Sequence, residues 1–215
     1  MALLINELRM KVFKKAVQII VTFPHFLSWV VVASLFMLIF NENGVINNVI
    51  KANQGPQAMI PFFTDGPTFL SLVFTSDVWK EAGWSSIIYI ATMAGISPDL
   101  YEAADIDGAS RLQKIWHITL PGIRSTAILL LIMSVGGVLS AGFDQIFNLT
   151  SKLINSAVLP TVQIIDTLIY KTTFRDSSLT YGQSTSIGLF KSAIGFVLVI
   201  ITDRIAKLCG ERGII

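Results

Sequence analysis

Glu102-Ala103-Ala104-Asp105-Ile106-Asp107-Gly108, followed after nine residues by Ile118-Thr119-Leu120-Pro121, lies between two apolar segments of membrane length. Local chemistry predicts two short helices joined by a bend. Ser97 is placed to cap the first helix, and Pro98 suits its first turn, where a missing N–H leaves no gap. Asp99 and Glu102 put negative charge near the positive helix end. Ala103 and Ala104 keep one face narrow enough to enter a partner's groove, and Gly108 accepts the left-handed backbone that ends a helix. Leu112, Ile115 and Trp116 recur at helical spacing on a second helix. Leu120-Pro121 is expected to stop that helix, because the residue before proline avoids helical geometry. Helix, swivel and stop together make a lever; the plainer reading is a connector between two spans.

Composition sets the solvent. The chain has 215 residues, 53% hydrophobic and 14% charged, and its mean hydropathy of +0.66 is too apolar for an ordinary water-soluble domain. A net charge of +2 without one long basic run gives no footprint for nucleic acid. A single cysteine, Cys209, excludes an internal disulfide framework and a cysteine-rich metal site.

Crossing a hydrocarbon core of about 30 Å takes about 20 helical residues. Four apolar runs meet or approach that length: Val17 to Phe40, Glu81 to Ser97, Ser125 to Phe147 and Ile187 to Leu208. The expected fold is therefore all-α and polytopic. Ala2-Leu3-Leu4-Ile5 reads either as the tail of a further upstream span, so that the chain is truncated at its N-terminus, or as a short amphipathic start. Pro24 should kink the first span, as a functional break or a static bend. In the third span Gly136 with Ser140 and Gly137 with Ala141, followed by Gly142, are small residues suited to close helix approach.

Lys and Arg collect on the cytoplasmic side of membrane proteins. Arg9, Lys11, Lys14, Lys15, Arg111, Lys114, Arg124, Arg204, Lys207 and Arg212 flank the termini and the middle loop. The remaining loops hold only Lys51, Lys80, Lys152, Lys171, Arg175 and Lys191. Both termini and the loop 98–121 are thus expected in the cytoplasm, with the loops about 41–80 and 148–186 outside.

The seven residues Glu102, Ala103, Ala104, Gly108, Ile118, Leu120 and Pro121 match the spacing EAA---G---------I-LP, and on them the chain resembles permease subunits of binding-protein-dependent ABC importers. Pro24-His25-Phe26-Leu27-Ser28-Trp29, Gly142-Phe143-Asp144-Gln145 and Gly188-Leu189-Phe190-Lys191-Ser192 extend the likeness to the maltose and multiple-sugar type, in the LplB-like branch. The resemblance implies a type I importer (MetI-like) transmembrane fold over residues 1–215 in a bacterial cytoplasmic membrane. It implies a homologous second permease subunit, two ATPase subunits that carry ATP and Mg²⁺, an extracytoplasmic solute-binding protein and an oligosaccharide cargo. The seven signature residues would couple this subunit to the ATPase. A non-sugar solute, or a membrane scaffold that does not transport, are the alternatives.

No phosphate-binding loop, HExxH or G-x-S-x-G sequence occurs, and His25 and His117 are too few and too far apart to hold a metal, so no catalytic residue is expected on this chain. A carboxylate in the bilayer centre costs about 2.5–3.5 kcal/mol, so Asp144 should face a water-filled path or lie near the surface. Sugars are held by planar polar groups above aromatic faces. Asp144, Gln145, Asn148, Phe143 and Trp29 are therefore the candidates for the substrate pathway, against a structural role at a helix end.

Overall fold

Hydrocarbon offers no partner to a backbone N–H or carbonyl, so a chain this apolar must close its hydrogen bonds within helices. A computed structural model describes the chain except for Arg9, Ala141, Cys209, Glu211, Arg212, Ile214 and Ile215. The expectations placed on Arg9, Ala141, Cys209 and Arg212 lie outside the described residues, which hold helices and no strand.

Short α1 (Ala2–Asn6) is followed by α2 (Lys11–Thr22). The uninterrupted span expected over Val17 to Phe40 does not form. The α-helix ends at Thr22, Pro24 sits in the 3₁₀ turn Phe23–Phe26, and Ser28 restarts the chain by capping α3 (Trp29–Phe40), its Oγ accepting the Val31 N–H at 3.4 Å. Proline has no N–H to continue the ladder, so the break is wider than a kink.

The stretch expected as a long outer loop over 41–80 is largely helical, with α4 (Val45–Gln54) and then α5 (Gly66–Ala94), 29 residues long. Asp65 caps α5: its carboxylate accepts the Thr68 N–H at 3.0 Å and also the Thr68 hydroxyl, and these bonds hold its pKa below the usual carboxylate value. α6 (Pro98–Ile106), α7 (Arg111–Lys114), a π turn over Ile115–Thr119 and α8 (Leu120–Gly137) follow. The expected third span to Phe147 stops at Gly137, and a separate α9 (Phe143–Leu149) begins after Gly142, whose φ of +88° is left-handed. α10 (Leu159–Val162), α11 (Ile165–Tyr170), a second π turn over Lys171–Arg175 and α12 (Tyr181–Leu208) complete the described chain, so the outer loop expected over 148–186 is also mostly helical.

Among the described residues, three stretches are long and apolar enough to cross a membrane: Trp29–Gln54, Arg111–Gly137 and Tyr181–Leu208. The first joins α3 and α4 across the turn at 41–44; the 12 residues of α3 alone cover only about 18 Å. The span expected over Glu81 to Ser97 is the second half of α5, which has the length but is not among the three, because Asp77, Lys80 and Glu81 fall in its middle. Only 6% of the apolar window of α12 is buried in the protein, and Phe190, Phe196, Val197 and Ile201 are exposed, which suits a lipid-facing surface.

The chain separates into two compact units. One comprises residues 1–19, 83–138 and 190–215. Here α8 and α12 approach closely: a Cβ on Gly136 would lie 2.6 Å from Val199 Cγ2, and one on Gly195 would lie 3.2 Å from the Gly136 carbonyl. Gly136 is thus the packing residue expected. A Cβ on Gly137 would meet nothing within 4 Å, and Ser140 lies past the helix end, so Gly136 and Ser140 do not pair along one helix. The Thr92 and Thr126 hydroxyls, 3.1 Å apart, tie the end of α5 to α8.

The other unit comprises residues 20–82 and 139–189. Val32, Ala33 and Phe36 of α3, Phe69 and Leu72 of α5, and Ile146 and Leu149 of α9 form its core with Val158, Leu159 and Val162. Most of its buried polar groups are bonded, the Thr22 hydroxyl being an exception. Asn47 donates to the carbonyls of Asn41 and Ile60, each at 3.0 Å, and accepts the Ile60 N–H at 2.8 Å. Buried Lys80 donates to the His25 carbonyl at 2.6 Å, where the chain leaves helical geometry, lies 3.3 Å from Glu81 Oε1, and stands 5.5 Å above the Trp29 ring. Glu81 Oε2 meets His25 Nδ1 at 2.9 Å. Lys80 thus ties α5 to a backbone carbonyl at the break.

Helices in lipid gain little from apolar burial, so close packing carries much of their association. Gly136→Val should destabilise the detergent-solubilised protein by about 1–3 kcal/mol through overpacking, whereas Gly137→Ala should leave it unchanged or slightly more stable. Thermal unfolding measures both; equal effects would contradict the α8–α12 contact.

Candidate functional site

The loop from Ser97 to Pro121 is a helical hairpin whose two arms are capped by their own side chains. Ser97 Oγ accepts the Asp99 N–H at 3.4 Å, as the sequence predicts. At the far end of α6 the Gly108 N–H donates to the Asp105 carbonyl at 3.1 Å and the Ala109 N–H to the Ala104 carbonyl at 2.9 Å. This is the Schellman closure, and it requires the left-handed φ of +74° at Gly108. Ser110 then opens α7 with a capping box: its N–H donates to Gln113 Oε1 at 2.7 Å, and its Oγ accepts the Gln113 N–H at 3.4 Å.

The second helix does not stop at Leu120-Pro121, contrary to expectation. Pro121 falls in the first turn of α8, and the chain stays helical from Arg111 to Gly137. The helix widens just before the proline: in the π turn the Leu120 N–H reaches the Ile115 carbonyl, five residues back. A π turn absorbs an N–H that proline cannot supply, at the cost of one irregular turn. The loop is therefore one arm, a bend, and a second arm continuous with a span.

Two contacts brace the bend. Lys114 Nζ meets Asp105 Oδ1 at 2.6 Å across Gly108, and the Tyr101 and Thr119 hydroxyls lie 3.0 Å apart. Neither pair was singled out from the sequence, nor was the capping box. The box carried a readable signal in the Ser110-x-x-Gln113 spacing; the other two join residues 9 and 18 positions apart, beyond any local periodicity. Of the signature residues, Ala104 and Ile118 line one cleft of about 210 Å³ in the angle of the hairpin. Glu102 and Ala103 are exposed on α6, Leu120 is half-buried, and Pro121 is exposed. Ile106 is 88% exposed, Leu112 65% and Trp116 63%, an unusual apolar display on a polar loop. His117 is exposed, its Nδ1 2.9 Å from the Gln113 carbonyl.

The residues expected to face substrate divide. Gln145 is buried, and its amide donates to the Val73 carbonyl at 2.7 Å and to Ser76 Oγ at 2.9 Å, fastening α9 to α5. It also lines a cleft of about 310 Å³ with Asp77, Gly142, Thr161 and Gln163. Asp144 is exposed in the first turn of α9, and its carbonyl accepts the Asn148 amide at 2.7 Å. Phe143 stacks on Phe147 at 5.5 Å, and both touch the Tyr170 ring. The aromatic chain continues through Phe174 to Tyr181, residues that sequence reading missed. Trp29 packs against the core and under Lys80.

Residues 1–212 match the family described as binding-protein-dependent transport system inner membrane component. The chain belongs to this family. Its fold is the MetI-like transmembrane fold of type I importers, and it is similar to sugar permeases. The polygalacturonan/rhamnogalacturonan transport system permease protein YteP of Bacillus subtilis (strain 168) is 42% identical over all 215 residues, and protein LplB of the same organism 39%. The chain spans 64% and 65% of the lengths of these two relatives. Among solved structures it matches a chain of a bacterial alginate ABC transporter in complex with alginate pentasaccharide-bound periplasmic protein, with a TM-score of 0.90 and 35% identity, covering 99% of this chain and 72% of that one. Family membership confirms the resemblance carried by the signature.

Gly108→Val forces a β-branched residue into left-handed geometry at about 1–2 kcal/mol, whereas Gly108→Asn tolerates it. Hydrogen exchange at the Gly108 and Ala109 amides should rise roughly 5–30-fold in the valine variant, and less in the asparagine variant. Unchanged protection in the valine variant would remove the closure from the account.

Proposed function

We propose that this chain is the translocation subunit of an ATP-driven importer that carries an oligosaccharide across the bacterial cytoplasmic membrane by alternating access. The observation that carries the reading is the hairpin at 98–121: closed by Gly108, braced by Lys114–Asp105, and continuous through α7 with a membrane-crossing helix. Such a part transmits displacement. A push on α6 reaches α8 without a flexible joint after the bend.

Both termini and this hairpin face the cytoplasm on this reading, where Glu102, Ala103, Ala104 and Gly108 engage a partner ATPase, and Ile118, Leu120 and Pro121 form the base of the arm. The exposed Ile106, Leu112 and Trp116 give that ATPase an apolar surface to hold. ATP and Mg²⁺ belong to two such ATPase subunits; this chain supplies no catalytic group. A homologous permease subunit completes the pathway, and an extracytoplasmic solute-binding protein delivers the cargo.

The oligosaccharide assignment draws on the likeness to the polygalacturonan/rhamnogalacturonan permease YteP and to the alginate transporter, together with the aromatic chain from Phe143 to Tyr181. Asp144, Asn148 and Phe143 are the contacts we place on the pathway, with Gln145 in the wall of its cleft and Trp29 supporting from the core. The membrane-scaffold alternative gains no observation, and a non-sugar cargo lacks the aromatic argument.

Reconstitution of the protein with a partner permease, ATPases and a binding protein tests the reading. Oligosaccharide uptake should require ATP, and Gly108→Val should abolish uptake while the spans remain inserted. Phe143→Ala should weaken uptake through a higher KM, with ATPase association intact. ATP-dependent uptake unaffected by the Gly108 substitution would overturn the coupling role.

A further inference from the structure

We propose that a polar cleft beside the hairpin, between Asn6-Glu7 and the residues Tyr101, Arg111, Lys114 and Thr119, binds a phosphate group. The cleft has a volume of about 270 Å³, room for a phosphate and the first atoms attached to it. None of the seven signature residues lines it, and it shares only Lys114 with the cleft that Ala104 and Ile118 line.

The donors there suit a tetrahedral anion. Among the described residues Arg111 has no ion pair, so its planar fork of donors is available for bidentate contact with two phosphate oxygens. Lys114 spends one ammonium hydrogen on Asp105 at 2.6 Å and keeps two. The Tyr101 hydroxyl, 3.0 Å from Thr119 Oγ1, can turn its hydrogen toward an anion while Thr119 keeps its 3.5 Å contact with the Lys114 carbonyl. Lys14, held on Asn6 Oδ1 at 2.9 Å, adds positive charge at the edge. Glu7 and Asp105 oppose an anion, and the three cations outnumber them.

The placement gives the site a consequence. Tyr101 belongs to α6, Arg111 and Lys114 to α7, and Thr119 to the π turn, so a phosphate bridging them clamps both arms of the hairpin. The inference rests on the proposed function only for sidedness, which puts the cleft on the cytoplasmic face. There the phosphate belongs either to a lipid headgroup or to a free phosphate compound.

The test uses the full chain in detergent micelles, with phosphatidylglycerol, phosphate-free diacylglycerol and inorganic phosphate as probes. Native mass spectrometry reads lipid retention, and thermal unfolding reads the free ion. Retention of phosphatidylglycerol over diacylglycerol, cut at least about tenfold by Arg111→Gln, supports a headgroup site. Stabilisation by inorganic phosphate that Arg111→Gln removes, without lipid preference, supports a free phosphate. Tyr101→Phe keeps the ring and loses only the hydroxyl, so it should weaken binding without unfolding the hairpin. The proposal is overturned if the parent protein binds neither probe, or if both variants bind as the parent does. No ATPase, binding protein or sugar is present, so failure here and failure of the transport reading are separate results.

Discussion

A left-handed residue at position 108 is the constraint on which the hairpin depends. It lets α6 terminate with two backbone bonds satisfied and turns the chain into the capping box that opens α7. Without it, the last carbonyls of α6 would lose their partners, and Asp105 would no longer be aimed at Lys114. Because α7 runs through the π turn into α8, the orientation of the bend is inherited by a membrane-crossing helix. Geometry at one glycine is thus translated into the pose of a span.

The bilayer imposes the second constraint, and here sequence reading succeeded in kind and missed in detail. The runs from Ser125 and from Ile187 fall on crossing segments, because hydrocarbon selects for composition over about 20 residues, whereas those from Val17 and from Glu81 match them only in part or not at all. Composition is blind to where the backbone ladder breaks. Val17 to Phe40 is uniformly apolar, yet Pro24 and Ser28 divide it, and Lys80, more than 50 residues away, satisfies the carbonyl of His25 at the break. The run from Ser125 to Phe147 similarly conceals the left-handed Gly142 that starts α9. Pro121 carried a true signal that was read as a stop, because a π turn has no sequence period by which to foresee it.

The hairpin was the most legible part, since caps, a terminating glycine and helical spacing all act within a few residues. The candidate pathway was less so. Gln145 was named for its polarity, but its amide bonds Val73 and Ser76, contacts that no local pattern encodes. The aromatic series was glimpsed at Phe143 and continued through Tyr170, Phe174 and Tyr181, which join it only when α9, α11 and the start of α12 are folded together. Polar bonding and ring contacts thus work side by side in this unit, the first fixing α9 and the second leaving ring faces such as Phe174 open.

The central claim is that the hairpin lies on the cytoplasmic side against an ATPase. Thiol labelling of Ile106→Cys, on a Cys209→Ser background in intact cells, tests it most directly. The account predicts no reaction with a membrane-impermeant reagent added outside, reaction once the membrane is opened, and protection when the ATPase is co-expressed. Labelling from outside in intact cells would contradict it.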